Sequence, residues 1–356
     1  MKTYGVIMAG GGGTRFWPLS RKELPKQLLN LTGKDIMVNE TIDRLEGNVE
    51  KDDIFVVTNS TQAELMLEAT AGRVQANHVL AEPAARNTAA CIGYAAMEIL
   101  QKYGDGVMCI LPSDHYIKKT DVYKKVIADA IHVAEKTDAL VTIGIQPTFP
   151  STGYGYICHD EAKTADGYYA VRNFVEKPDL QKAKEYLLSG EYLWNSGMFI
   201  WKASVIMHYF ETLLPDIYTC LQKIGVAMNT EREQEAIQEI YPVIPKISID
   251  YGIMERAEKV LVLEGDFGWS DVGSWDALEA LYDKDEHGNI TYGEQIHIDT
   301  HDCIIYAKNK LVTTIGLDNV VVVETEDAVL VCDKNRAQEV KKIVEALEDC
   351  NKPQYL

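Results

Sequence analysis

From Met8 the chain reads Met-Ala-Gly-Gly-Gly-Gly-Thr-Arg-Phe-Trp-Pro-Leu-Ser-Arg and, shortly after, Pro25-Lys26-Gln27. The glycines Gly10 to Gly13 leave backbone N–H groups open to an anion, and Arg15 and Lys26 add fixed cations. That combination suits a nucleoside triphosphate. Residues 4–8 read as a short buried strand, so the loop would leave the carboxyl end of a parallel sheet, where open α/β folds bind their ligands. Two commoner glycine loops are excluded. A P-loop needs Gly-x-x-x-x-Gly-Lys-Ser/Thr, and Lys26 lies far past the last glycine. A dinucleotide fingerprint needs a third glycine where Arg15 stands.

A second group of residues carries acid chemistry. In Leu111-Pro112-Ser113-Asp114-His115 an apolar strand runs into a carboxylate at its carboxyl end, which places Asp114 to hold a cation over the sheet. Asp271, in Gly268-Trp269-Ser270-Asp271-Val272-Gly273-Ser274-Trp275, follows a later apolar run at 260–263. A bound triphosphate requires a hard cation and fixed positive groups to offset its charge. Two carboxylates with phosphate oxygens suit an octahedral Mg²⁺. Imidazole prefers softer metals, so His115 reads as a polar or packing residue.

Gly-Gly-x-Gly-Thr-Arg-x-x-Pro-Leu-Ser with a downstream Pro-Lys resembles the signature of the sugar-1-phosphate nucleotidyltransferases, and Phe-Trp-Pro-Leu-Ser-Arg resembles their mannose-1-phosphate guanylyltransferase branch. The resemblance spans residues 5–280 and beyond and implies GTP and α-mannose 1-phosphate as substrates, with GDP-mannose and pyrophosphate as products. It implies that Asp114 and Asp271 together coordinate Mg²⁺, and that Arg15, Lys26 and Lys177 are the catalytic cations. Nucleotide contacts are implied for Ala9, Gly10, Gly11, Gly12, Thr14, Arg15, Glu82, Asn87 and Ser113. Sugar-phosphate contacts are implied for Gly153, Glu176, Lys177 and Asn195, which lie in Gly153-Tyr154-Gly155-Tyr156, Phe174-Val175-Glu176-Lys177-Pro178 and Trp194-Asn195-Ser196-Gly197. Taken alone, Glu-Lys-Pro and Asn-Ser-Gly are common turns. Glu82, in Ala81-Glu82-Pro83-Ala84-Ala85-Arg86-Asn87-Thr88, matches the base-recognition loop of related enzymes. Its carboxylate could accept both the N1–H and the N2 amine of guanine; a surface salt bridge to Arg86 is the bland alternative. Two other functions stay open: a transferase using glucose 1-phosphate with UTP or dTTP, and a catalytically silent sugar-nucleotide-binding regulatory subunit.

Composition narrows the class. With 356 residues, 46% hydrophobic and 25% charged, the chain should bury about three quarters of its unfolded surface. A net charge of −19 argues against nucleic-acid and acidic-membrane partners, since both need a positive surface. An anionic substrate must therefore meet locally concentrated cations. Seven cysteines without a Cys-x-x-Cys pair imply neither a disulfide frame nor a zinc site. No basic and apolar leader and no apolar run of ~20 residues is present, so a cytoplasmic protein is expected.

The elements that must position these residues follow from periodicity. Apolar runs at 4–8, 53–58, 78–81, 107–111 and 139–145 alternate with helical segments, which predicts βαβ units and a mainly parallel sheet of a Rossmann-like α/β nucleotidyltransferase domain over residues 1–285. Residues 87–102 predict a helix with Asn87 as N-cap and Cys91, Ile92, Ala95, Ala96, Ile99 and Leu100 on its buried face. Short strands and turns are expected over 153–201, then helices over 203–257. Residues 286–356 predict a small β-rich module with runs at 303–305, 311–312, 320–323 and 329–331, ending in a helix over 336–347. By resemblance this module is left-handed β-helix-like and supports a homodimer. Longer members of the family add a cupin-type phosphomannose isomerase domain, for which this sequence has no room, so isomerase activity is not expected.

Overall fold

Each apolar run before residue 146 becomes a strand. The computed structural model describes residues 1–356 and contains, in chain order, β1 (Thr3–Met8), β2 (Ile54–Asn59), β3 (Val79–Glu82), β4 (Val107–Pro112), β5 (Tyr116–Ile117), β6 (Leu140–Ile145), β7 (Tyr156–His159), β8 (Tyr169–Val175), β9 (Tyr192–Lys202) and β10 (Val260–Glu264). All but β5 join one sheet in the order β3-β2-β1-β4-β9-β6-β10-β8-β7. Strands β3, β2, β1 and β4 run parallel, as do β6 and β10, while β9 enters antiparallel between β4 and β6. Continuous burial of β1, β2, β4 and β6 is what a sheet covered on both faces demands.

The chain divides into two compact units, one of residues 1–10, 41–113 and 119–267 and the other of residues 11–40, 114–118 and 268–356. The first is the sheet with its helices. Helix Asn87–Lys102 is buried from Ala89 to Ile99 on all sides, beyond the single face that periodicity predicts. Its core cluster includes Phe210 and Leu221 from helices Ala203–Leu213 and Pro215–Ala227.

Two local expectations are corrected. Asn87 is not an N-cap: its φ is 68°, and its Oδ1 accepts from the adjacent Thr88 N–H at 2.8 Å rather than from a donor further into the helix. Residues 153–201 also hold a helix, Leu180–Ser189, that the expectation of strands and turns omitted. Asp179 caps it by accepting from Lys182 N at 2.9 Å, and Gly190 ends it in the left-handed conformation.

The second unit gathers the early loop with the C-terminal strands β11 (Trp269–Ser270), β12 (Ile290–Tyr292), β13 (Gln295–Ile298), β14 (Ile304–Ala307), β15 (Val312–Ile315), β16 (Val320–Glu324) and β17 (Val329–Asp333). Strands β12, β14 and β16 stack in parallel, β13 and β15 form a second parallel face, and β17 closes antiparallel on β16. This is a β-helix coil, aligned by Ile290, Ile304 and Val321 and by the stacked rings of Tyr292 and Tyr306, 4.3 Å apart. The expected terminal helix is a 3₁₀ turn, Lys334–Val340, continued as an α-helix, Lys341–Asp349. The core of this unit joins the coil to Phe16, Trp17, Leu19 and Trp275. Phe16 lies 5.1 Å from the Trp275 ring, whose Nε1 donates to Trp17 O at 3.0 Å. The Phe-Trp pair is thus an anchor that fixes the glycine loop by its hydrophobic end.

Candidate active site

Within the second unit, Gly13, Thr14, Arg15, Phe16, Lys26, Asp114, His115, Asp271, Gly273 and Lys341 line one cleft of about 300 Å³. Lys26 is its centre. Its side chain is buried, and Nζ donates to Asp114 Oδ2 at 2.8 Å and to the Asp271 backbone carbonyl at 2.7 Å. Gly13 permits this arrangement: it has a φ of 60°, and a Cβ there would stand 2.2 Å from Lys26 Cβ. Burial opposes ionisation of Asp114, but the Lys26 ammonium and His115 outweigh it and hold the carboxyl below its usual range. Arg15 is exposed, its Nη1 3.3 Å from Gly273 O. His115 Nδ1 accepts from Trp269 Nε1 at 3.1 Å.

Three cations, Arg15, Lys26 and Lys341, thus line the same cleft as the two aspartates in a chain of net charge −19. Lys341 comes from the C-terminal helix and belongs to no motif; nothing in its sequence context marks it. Asp114 and Asp271 offer hard oxygen donors, and no cluster of three or more His, Cys, Asp or Glu completes a protein cage around them. Such a pair fits Mg²⁺, which takes one or two carboxylates and fills its remaining positions with water and phosphate oxygens.

In the sheet unit the other expected residues fall into two groups. At the carboxyl ends of β1 and β4, Ser113 N donates to Met8 O at 3.1 Å, and Ala9 N donates to Val57 O at 2.7 Å. Glu82 ends β3, buried, and accepts a short hydrogen bond from Tyr241 Oη. Burial outweighs the lowering by the Tyr241 hydroxyl and raises the Glu82 carboxyl to about 7. No salt bridge joins Glu82 to Arg86, the alternative that its sequence neighbourhood allowed; its partner is the tyrosine. Asn87 is exposed nearby in sequence, and Gly10, Gly11, Gly12 and Thr14 are exposed along the loop.

The second group is set by register. Tyr156 of β7 pairs with Val175 of β8 and with Trp194 of β9, so the next residues, Glu176, Gly155 and Asn195, come side by side. Asn195 N donates to Gly155 O at 2.8 Å, and a Cβ on Gly155 would meet Glu176 Oε2 at 2.4 Å. Lys177 Nζ pairs with Glu176 Oε1 at 2.9 Å; burial works against the lysine's charge, but Glu176 prevails and its pKa rises. Gly153 N reaches Ser151 Oγ at 3.2 Å. Segment 250–255, which no motif marked, adds two acids: Asp250 Oδ1 accepts from Asn195 Nδ2 at 2.9 Å, and Glu255 Oε1 accepts from Glu176 N at 3.1 Å.

A glycine loop beside cations and two carboxylates, in a chain that also carries an α/β sheet and a β-helix, is the equipment of a nucleotidyltransferase. The nucleotidyl transferase family model matches residues 4–288, and the MannoseP isomerase/GMP-like beta-helix domain model matches residues 293–347; the chain belongs to the nucleotidyl transferase family. It is 41% identical to mannose-1-phosphate guanylyltransferase of Klebsiella pneumoniae, over 98% of this chain and 75% of that one. It is 40% identical to the alginate biosynthesis protein AlgA of Pseudomonas fluorescens, over 97% of this chain and 71% of that one. The crystal structure of mannose-1-phosphate geranyltransferase from Thermus thermophilus superimposes with a TM-score of 0.89 at 35% identity, covering 98% of this chain and all of that one.

Proposed function

We propose that this chain is a mannose-1-phosphate guanylyltransferase, converting GTP and α-mannose 1-phosphate to GDP-mannose and pyrophosphate. The cleft that gathers Arg15, Lys26, Asp114 and Asp271 carries this reading, and the guanylyltransferase relatives support the choice of base and sugar.

A phosphate oxygen of the sugar phosphate attacks the α-phosphorus of GTP in line. The new O–Pα bond forms as the Pα–O–Pβ bond breaks, and the electron pair leaves with pyrophosphate. No general base is needed, because a phosphate monoester with a second pKa of about 6 is mostly dianionic at neutral pH. Catalysis is then positioning and charge stabilisation. Lys26 exchanges its hold on Asp114 for the α-phosphate or the incoming phosphate. Arg15 neutralises the leaving phosphates, and Lys177 orients the acceptor phosphate. Asp114 and Asp271 would hold Mg²⁺, which when bound supplies further positive charge to the phosphate oxygens. Glu82 accepts the N1–H and N2 amine of guanine, the glycine loop with Ala9, Asn87 and Ser113 completes the nucleotide contacts, and Gly153, Glu176 and Asn195 take the sugar.

The same reading includes a cytoplasmic homodimer. No helix is long and apolar enough to cross a membrane, all seven cysteines are free, and the exposed Ile296, Ile298 and Ile315 of β13 and β15 offer an apolar face to a second copy. Sedimentation of the purified chain tests the dimer.

Pyrophosphate release with Mg²⁺, measured for ATP, GTP, CTP, UTP and dTTP against mannose 1-phosphate and glucose 1-phosphate, tests the activity. Turnover confined to GTP with mannose 1-phosphate is expected. Another preferred pair would replace the substrates, and silence with every pair would make the chain a binding subunit.

A further inference from the structure

Asp250 lies outside every motif, yet it is tied to the best-defined side chain of the sugar group. Its Oδ1 accepts from Asn195 Nδ2 at 2.9 Å. Asn195 Oδ1 in turn accepts from Gly197 N at 3.1 Å; Thr142 Oγ1 lies 3.4 Å away, its single proton also shared with Met198 O at 3.1 Å. An amide has two N–H donors and two oxygen lone pairs. One N–H and one lone pair are engaged here, so Asn195 can offer a sugar a single N–H. A hydroxyl that accepts from this N–H must place its own proton on another group.

Asp250 is such a group. It shares the amide nitrogen of Asn195, and a carboxylate has about four acceptor positions, of which that bond takes one. Glu176 is committed differently: its carboxylate pairs with Lys177, and its N–H is held by Glu255. Asp250 opens a one-turn π-helix, Asp250–Met254, a distortion that appears often at functional sites. Burial and the neighbouring Glu176 charge push its carboxyl up to about 6. An unliganded carboxylate in that setting is under-solvated, and a hydroxyl donor relieves it.

We propose that Asp250 is a specificity-determining residue of the sugar subsite, where one hexose hydroxyl bridges it to Asn195, accepting from Asn195 Nδ2 and donating its proton to the Asp250 carboxylate. This rests on the reading that the chain transfers a nucleotide to a sugar 1-phosphate.

The experiment crosses wild type and Asp250→Ala with mannose 1-phosphate and its 2-, 3-, 4- and 6-deoxy analogues in the GTP-dependent assay. In Asp250→Ala the KM for mannose 1-phosphate rises at least ~10-fold, while that for GTP stays within ~2-fold. One analogue costs wild type at least ~10-fold in kcat/KM but costs Asp250→Ala no more than ~2-fold, the coupling of a shared hydrogen bond. A residue that merely props Asn195 would leave every analogue's penalty the same in both enzymes, and that result overturns the bridge. Should Asp250→Ala not fold, Asp250→Asn serves: its oxygen is held by Asn195, and its NH₂ cannot accept. Wild type preferring another sugar 1-phosphate would overturn the mannose reading alone, because the same crossing on that sugar still reads the coupling. Wild-type silence with all sugars overturns both.

Discussion

Lys26 shows what burial does to a single charge. Its ammonium is shielded from water and shared between Asp114 Oδ2 and Asp271 O, so the protein rather than water holds it, and in the proposed step it trades Asp114 for phosphate. Removing it also leaves Asp114 without its cation. Lys26→Ala and Asp271→Asn are each expected to lower kcat more than ~100-fold with the circular dichroism of wild type; turnover near wild type in either variant would remove that residue from the chemistry. Glu82 makes a pH prediction. With its carboxyl near 7, the ionised form that the proposed guanine contact requires grows as pH rises through that value. The ratio of GTP to ITP affinity, which cancels the titration of the phosphates and isolates the N2 amine, should therefore increase from pH 6 to 8. In Glu82→Gln it should stay flat. The same shift makes Glu82 a cost to folding: its raised pKa favours the neutral acid in the folded state, so its contribution to stability falls as pH rises from about 4.5 to about 7. The loop cations, both aspartates, Glu176 and Asn195 could be picked out because their types sit in compact motifs. Tyr241, Asp250 and Glu255 could not, because their partners lie 159, 55 and 79 residues away, and a contact across such separations leaves no local pattern.

At the scale of elements, strand alternation predicts β1 to β4 and β6 because a covered parallel sheet demands uninterrupted apolar runs. The register that lines up Glu176, Gly155 and Asn195 is set instead by pairings among three distant strands, which periodicity does not encode. Helix Leu180–Ser189 has its signals in Asp179 and Gly190, but Ala183 is its only buried residue, so no apolar face marks it in the sequence. In the glycine loop, element geometry carries the chemistry. Gly13→Ala forces a side chain into a left-handed position and into Lys26 Cβ, so Lys26 must move. A loss in kcat of about 100-fold is expected, the scale of a 1 Å misplacement, with thermal unfolding still cooperative. Unchanged kcat would mean that the loop carries no such constraint.

At the scale of the whole chain, family boundaries and packing boundaries differ. The nucleotidyl transferase model ends at 288, yet packing places residues 11–40 and 114–118 with the C-terminal coil. Phe16, Trp17 and Trp275 share their core with Ile290, Ile304, Tyr306 and Val321, and Lys341 reaches the cleft from the last helix. Deleting residues 286–356 should therefore abolish turnover while the sheet unit keeps its helical circular dichroism. A truncated chain with wild-type kcat would show that the loop holds itself. The contact of Trp275 with Tyr306 of the coil, 5.7 Å between ring centroids, also constrains inheritance. The coil cannot be exchanged between lineages as a cassette, since a recombination breakpoint at the apparent domain border parts the loop from the residues that fit it. Chimaeras joined there should work only between parents whose coils present a matching surface to Trp275, so loop and coil should drift through evolution as one unit, although most of the chain lies between them.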